Sequence, residues 1–458
     1  MTDVQTILDF SDFKNDELYF IPLGGSGEFG TNLNLYRWNN HWLMVDMGVS
    51  FHNGKVHPPG TLIMPDISFI DKHRKSLSGI IITHAHEDHI GAVAYLWPRL
   101  RCPVYATPFA AAFLRAKLRD NGLDEDVVDI LTVEPGEKFY VGPYFCRMTP
   151  ITHSIPESTM VEIHTPLGRI VHSGDWKIDY APGVGDAIEP EIYEEMGGDG
   201  VLLNVTDSTN ANVPGRSGDE IEVQEGLTQL FSRLPHRIFV SCFASNVGRI
   251  RSIALAAQAN GRQVVLAGRS LWRFNRIARD LGFFDDLLPF AGPEELRRIK
   301  RSDVVVICTG SQGETAAALS RIANGQHPKI QAMPNDHVVF SSRAIPGNED
   351  EIAELLAALR RAGQEILTQD DVVECIYSSG HPCADEVAEL YRWLKPEKVL
   401  PVHGTLMHQQ ANEAIARREG IKDVLVPANG QVIRVAPGAM EIVGHVTNGK
   451  MLHFQEER

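Results

Sequence analysis

Thiols are scarce in this chain and badly spaced for the work thiols usually do. Its 458 residues include six cysteines (Cys102, Cys146, Cys242, Cys308, Cys375 and Cys383), and no two form a C-x-x-C pair. That spacing excludes a zinc knuckle and a disulfide frame, and it predicts reduced core cysteines. No apolar run is long enough to span a bilayer, so a helical membrane protein is excluded. Met1-Thr2-Asp3-Val4-Gln5 carries neither a basic nor a hydrophobic stretch, so a cytoplasmic location is expected in place of secretion. Positive charge is also short: 43 Lys and Arg against 59 Asp and Glu leave a net charge of −16. This argues against a general nucleic-acid coat protein but not against a metal-assisted nuclease with a local basic groove. Internal repeats and low-complexity linkers are missing too. What is present, 43% hydrophobic and 22% charged residues, is an ordinary globular composition, and the length predicts more than one domain.

Histidine, in contrast, is concentrated. Thr83-His84-Ala85-His86-Glu87-Asp88-His89 sets three imidazoles and two carboxylates close together, directly after Ile80-Ile81-Ile82. The apolar triplet reads as a buried strand, so the ligands fall on the loop at its end, where several side chains can converge on one point. Imidazole together with carboxylate suits zinc or manganese and needs no thiolate. His84 and His86 can serve one ion while Asp88 and His89 serve a second, an arrangement for in-line attack on a phosphoryl group or for hydrolysis more generally. The bland alternative is a polar surface loop with three chance histidines, and the spacing argues against it. Thr152-His153-Ser154, Ser173-Gly174-Asp175 and Val402-His403-Gly404 are weak signals singly, each readable as a structural histidine or a turn aspartate. Together they offer His153 as a third ligand of the first ion, Asp175 as a bridge and His403 as a further ligand of the second.

The first third of the chain is rich in short β-like runs. The middle alternates strand candidates at 237–242, 263–267, 303–308 and 337–341 with helices, one of them marked by Ile250, Ile253, Ala254 and Ala257. Asn348 with Glu351 resembles a capping box ahead of Ile352, Leu355, Leu356 and Leu359, with Gly363 as the stop. His381 and His403 follow, so a metal-binding unit is predicted from both outer segments with an α/β domain inserted between them. Residues 453–458 read as a polar tail. Gly25-Ser26-Gly27-Glu28-Phe29-Gly30 fits a dinucleotide fingerprint, but the alternating run Thr31 to Tyr36 follows where a helix is required. These glycines are therefore a tight strand-to-strand loop lining the metal site, and Asp46 is structural. Histidines 41, 52, 57, 164, 172, 327, 337 and 408 have no ligand-like context.

The set H-A-H-E-D-H, T-H-S, S-G-D and V-H-G, in this order, resembles the metallo-β-lactamase superfamily. The insert, with Val205-Thr206-Asp207-Ser208-Thr209-Asn210 before it and Ser378-Ser379-Gly380-His381-Pro382 after it, resembles the β-CASP nucleases. With Leu23 to Gly30, Phe243 to Asn246, Thr309 to Glu314 and Ser342 to Glu349, the chain is similar to the ribonuclease J family over nearly its whole length. The resemblance implies an α/β fold, an αββα sandwich with an inserted α/β β-CASP domain. Residues 1–207 and 366–458 would form the metallo-β-lactamase domain and 208–365 the insert. The family's usual C-terminal domain is expected to be absent, which would weaken a homodimer or an RNA-decay complex.

The implied activity is metal-dependent hydrolysis of single-stranded RNA, 5′-to-3′ from 5′-monophosphate ends and with endonuclease cleavage besides, in RNA decay and maturation. Two divalent ions are implied, zinc first and manganese or magnesium as alternatives. Their ligands would be His84, His86, Asp88, His89, His153, Asp175 and His403. Asp88 and Asp175 would be catalytic through the ions. His381 would contact the scissile phosphate or protonate the leaving oxygen, and Asp207 would orient a histidine. Ser379 and Gly380 would meet phosphate, and Ser245 and Asn246 would open a helix towards a 5′-phosphate. Arg249, by default part of a solvated helix face, would meet the RNA backbone. Two other readings remain: a hydrolase of the same fold acting on a small thioester or lactam, and a non-catalytic RNA-binding subunit.

Overall fold

Strands whose two faces are both covered should read as nearly unbroken apolar runs, and each of the three main sheets holds at least one strand buried throughout: Leu18–Gly24, Lys398–Val402 and Val304–Cys308. The computed structural model describes residues 7–51, 60–345 and 347–454. One eight-stranded sheet runs in the order Glu441–His445, Gln431–Ala436, Leu18–Gly24, Leu33–Trp38, His41–Val45, Leu77–Ile81, Val104–Ala106, Ile130–Thr132. A seven-stranded sheet runs Lys138–Val141, Tyr144–Pro150, Thr159–Thr165, Gly168–His172, Leu203–Asp207, Lys398–Val402, Asp423–Val424. Both therefore take strands from both outer segments of the chain.

The two sheets face each other across one core. Leu18, Phe20, Tyr36, Leu43, Val45 and Ile81 from the first meet Tyr144, Met148, Ile163, Leu203, Val205 and Leu400 from the second. The alternation of the pleat sends Leu33 and Leu35 to the opposite side, where they join Leu96, Leu100, Phe109 and Leu114 of the helices Val93–Leu100 and Pro108–Asp120. On the outer side of the second sheet, Met160, Val171 and Val399 pack with Tyr193, Leu390, Tyr391 and Ile415 from three further helices. The order of layers is helix, sheet, sheet, helix.

The insert holds a five-stranded sheet, Gln263–Ala267, Val304–Cys308, Ile238–Ser241, His337–Phe340, Glu365–Leu367, in which every pairing is parallel. Parallel neighbours need long crossovers, and the helices Val247–Ala259, Arg269–Asp280 and Glu349–Arg361 supply them. Ile250, Ile253, Ala254 and Ala257 are all buried, as their spacing predicts.

Two expectations fail locally. Asn348 precedes the helix Glu349–Arg361, but its side chain makes no cap bond. Its amide turns towards Gln312, and Glu349 accepts the Gly347 N–H at 2.8 Å, so no capping box forms. Residues 453–458 are not wholly a tail, since Lys450–His453 is a strand paired antiparallel with Leu62–Pro65. His52 and His57 lie outside the described residues.

Candidate metal centre

Six segments bring their side chains to one edge of the sandwich, each at the carboxyl end of a strand. Asp46 follows His41–Val45, the run from Thr83 follows Leu77–Ile81, His153 follows Tyr144–Pro150 and Asp175 follows Gly168–His172. Asp207 ends its own strand, and His403 follows Lys398–Val402. Close backbone packing makes this convergence feasible. A Cβ on Gly48 would sit 1.6 Å from the Asp88 carbonyl oxygen, so only glycine lets the loop after Asp46 lie against the metal loop.

The donors fall into three overlapping groups that share the Asp175 carboxylate: two built from the ligands expected from the sequence, and a third of Asp175, Asp207, His381 and His403. In the first, His84 Nε2 and His153 Nε2 lie 3.1 and 3.0 Å from His86 Nδ1. Nitrogens bound tetrahedrally to zinc at about 2.0–2.1 Å would be separated by roughly 3.3 Å, so the cluster has the size of a coordination site. In the second, His89 Nε2 lies 3.6 Å from Asp88 Oδ2, and His403 Nε2 lies 3.2 Å from the same oxygen. Asp175 divides between them. Its Oδ2 is 3.8 Å from His84 Nε2 and 3.9 Å from His153 Nε2, while its Oδ1 is 3.2 Å from His89 Nε2 and 2.7 Å from His403 Nδ1.

Neighbouring groups fix which imidazole nitrogen is bare. The Gly380 carbonyl can only accept, so His153 Nδ1 carries the proton and Nε2 offers its lone pair inward. His89 Nδ1–H donates to Asp46 at 2.7 Å, with the same result at Nε2. Thr83 donates its hydroxyl to Asp46 and accepts from His84 Nδ1 at 2.9 Å, which leaves His84 Nε2 free to ligate. Such partners orient a ligand and raise its basicity. The donor chemistry thus fits two divalent ions, with an imidazole-rich position beside a carboxylate-rich one.

Electrostatics separates the two sets. Burial, aided by neighbouring imidazoles, pushes His84 and His153 far below the usual histidine range and His86 down to about 4. In the second set burial is outweighed by carboxylates. Asp175, Asp88 and Asp46 hold His89 well above its ordinary value, and Asp175 with Asp88 and Asp207 pushes His403 up to about 10. Asp88 is held well below the carboxylate range by His89 and His403 against its own desolvation.

His381 stands beside the first two groups, its ring 5.1 Å from that of His153 and 5.7 Å from that of His403, and it completes the third with Asp175, Asp207 and His403. Its Nδ1 donates to Asp207 Oδ2 at 2.8 Å and lies 3.8 Å from Asp175 Oδ2. Burial lowers its basicity, but Asp207 and Asp175 overcome this and raise it. Asp207 is also 3.6 Å from His403 Nδ1. Ser379 Oγ accepts from Asn210 and from the His381 N–H at 3.0 Å. A small polar cavity beside the first set is lined by His153, Asn246, Ser379 and Gly380. Asn246 caps the helix Val247–Ala259 by accepting the Arg249 N–H, and Ser245 lies just before it.

Arg249 needs correction. It is fully buried, and its five N–H groups are all engaged by Glu220, Ser341 and Ser378. No donor is left for an RNA phosphate. Asp46, read as structural from the sequence, turns out to touch His89 and Thr83 directly. Asn32, whose amide donates to the Asp88 carbonyl at 3.1 Å and lies 3.1 Å from His89 Nε2, had no sequence signal at all.

Three family models match the chain. One described as "Ribonuclease J, beta-CASP domain" matches residues 235–359. A "Beta-lactamase superfamily domain" matches 41–233, and a "Zn-dependent metallo-hydrolase RNA specificity domain" matches 370–427. The chain is 41% identical over 442 residues to ribonuclease J of Sinorhizobium meliloti, covering 96% of this chain and 78% of that relative. It is 34% identical over 442 residues to ribonuclease J of Thermus thermophilus, covering 95% and 77%. A crystal structure of a protein of unknown function from Enterococcus faecalis shares the fold, with a TM-score of 0.62 and 13% identity over 91% of this chain and 100% of the other. Among the described residues no helix is long and apolar enough to cross a membrane.

Proposed function

From the premise that this chain belongs to the ribonuclease J family, whose members join a metallo-β-lactamase domain to a β-CASP domain, we propose that it degrades single-stranded RNA from 5′-monophosphorylated ends. The direction is 5′-to-3′, with endonucleolytic cleavage as a second mode, and the setting is cytoplasmic RNA decay and maturation. Residues 1–207 and 368–458 are assigned to the metal-binding domain and 208–367 to the insert, the expected boundary at 365 moving by two residues because the strand Glu365–Leu367 pairs into the insert's sheet. The observation that carries the reading is Asp175, whose two oxygens face two separate donor sets while His381 and Asp207 stand at the same carboxylate.

His84, His86 and His153 would hold a first divalent ion and Asp88, His89 and His403 a second, with Asp175 on both. The imidazole content favours zinc, and manganese or magnesium are alternatives. When bound, such ions supply Lewis acidity and lower the pKa of water. The protein's own residues do the rest. Water oxygen forms the new bond to phosphorus as the bond from phosphorus to the 3′-oxygen breaks, and the proton the water sheds replaces the one that His381 gives up. His381, with Nδ1 committed to Asp207, has Nε2 left to give a proton to that departing oxygen. Ser379, Gly380 and Asn246 border a small cavity, Ser245 lies just before Asn246, and these residues would take a 5′-phosphate, aided by the N-terminus of the helix Val247–Ala259. Single strands are expected because bases must splay to enter a cleft.

The test is digestion of end-labelled RNA carrying either a 5′-monophosphate or a 5′-triphosphate, with zinc, manganese or magnesium supplied separately. Mononucleotides released faster from the monophosphate substrate are expected. Equal rates on the two ends would overturn the end preference, and purely internal cuts would overturn the direction.

A further inference from the structure

His403, a member of the second donor set, sits on a strained backbone. Its φ of 51° lies in the left-handed region, which is unfavourable for a non-glycine residue and persists only where surroundings impose it. The imposing element is the loop from Gly24 to Thr31. The His403 N–H donates to the Gly25 carbonyl at 2.7 Å, and the next N–H, of Gly404, donates to the Glu28 carbonyl at 3.0 Å. The same loop leads into Asn32, whose N–H donates to the Asp88 carbonyl at 3.0 Å. Two of the four second-set residues are thus held from one loop. The first set takes its bracing from Thr83 and the Gly380 carbonyl instead, while Asp46 serves both sets, holding Thr83 in the first and His89 in the second.

Four residues of that loop, Gly25, Gly27, Gly30 and Thr31, have positive φ, so the loop has little intrinsic preference for its shape. One carboxylate gathers it. Glu28 Oε1 accepts from the Gly25 N–H at 3.3 Å, Thr31 Oγ1 at 3.1 Å and Asn429 Nδ2 at 2.7 Å, and from Lys450 Nζ. Lys450 also donates to Thr31 Oγ1 at 2.7 Å, and Asn429 Oδ1 accepts the Ser26 N–H at 3.1 Å. Lys450 belongs to the strand Lys450–His453, more than 400 residues along the chain from Glu28.

We propose that Glu28, with Lys450 as its partner, is a positioning residue that sets how firmly the second divalent ion is held, by fixing the loop that keeps His403 and Asp88 in place. This rests on the two-ion reading above. Outer partners of metal ligands typically contribute about 10–100-fold in metal affinity. Removing the Glu28 carboxylate should therefore weaken the second ion by about that factor and leave the first within about twofold.

The test is zinc binding by calorimetry and by metal analysis after dialysis, on the full chain and on Glu28→Ala, Glu28→Gln and Lys450→Met. The parent should bind two ions. Glu28→Ala should retain one at parental affinity, and Glu28→Gln, which keeps an acceptor oxygen but loses the ion pair, should fall between. If Glu28→Ala does not fold, Glu28→Gln and Lys450→Met carry the test, and the melting curves of their metal-free forms should match the parent. Equal loss of both ions, or both ions retained at parental affinity in all folded variants, overturns the proposal alone. A parent that takes up a single ion overturns the two-ion reading and this proposal with it.

Discussion

Two regions of this protein bury charge, and they do so in opposite ways. At the metal centre, five histidines and two carboxylates are drawn together with ring nitrogens left bare and directed inward. At the seat of the insert, Arg249 and Glu220 meet in a bidentate pair at 2.7 and 2.9 Å, and every remaining guanidinium N–H finds an oxygen of Ser341 or Ser378. The first arrangement is unfinished without a ligand. The second is closed on itself and joins three segments: the helix Glu220–Arg233, the strand end at Ser341 and the approach to Gly380 and His381. Buried charge marks a place to bind something only when its hydrogen-bonding capacity is left over.

Four experiments can break or sharpen that contrast. The largest effect is expected for Asp88→Ala. Turnover on single-stranded RNA should fall to near the limit of detection while the melting curve stays close to the parent, because Asp88 is 32% exposed on the one-turn helix Glu87–Ile90 and not part of a core. Turnover at the parental level would remove Asp88 from the centre. His381→Ala comes next. Its rate should drop by about 10²–10⁴-fold, the usual contribution of a general acid or base, with metal content unchanged by elemental analysis. Metal lost together with rate would make His381 a ligand.

Arg249→Met probes the closed arrangement. Leaving Glu220 buried without its partner should cost about 3–5 kcal/mol of stability in a urea titration. Weaker RNA binding at parental stability would instead restore Arg249 as an RNA contact. The smallest effect concerns pH. Burial opposes ionisation of Glu220, but Arg249 outweighs it and holds the folded carboxyl below its ordinary value of 4.5. The unfolded chain therefore takes up this proton first as pH falls. The pair's contribution is complete above about pH 4.5 and is lost as pH drops through the folded value. Urea midpoints between pH 6 and pH 3.5 should decline less steeply for Arg249→Met than for the parent, and parallel declines would refute the linkage.

The same contrast explains what could be read from the sequence. His84, His86, Asp88 and His89 crowd one strand end, so local spacing was enough to mark them. His153, Asp175 and His403 gained meaning only as a set, and their separation along the chain hides the shared carboxylate. Arg249 misled because its partners are 29, 92 and 129 residues away, and a solvated helix face looks the same in sequence. Asp46, Asn32 and Glu28 act through backbone geometry and second contacts, for which no residue pattern stands. The capping pair at Asn348 and Glu351 was plausible chemistry, but the Asn348 backbone is not in the extended conformation of a capping residue and its side chain makes no cap bond.

The sandwich draws strands from both ends of the chain, and this has a consequence for biosynthesis. The ribosome delivers the first donor set as soon as Asp175 has emerged. The second waits for His403, for the strand Lys398–Val402 that carries it, and finally for Lys450. Contacts of such long sequence separation form last. A nuclease made on an RNA template is thereby kept from completing its own cutting edge until the codons for His403 and Lys450 have been read.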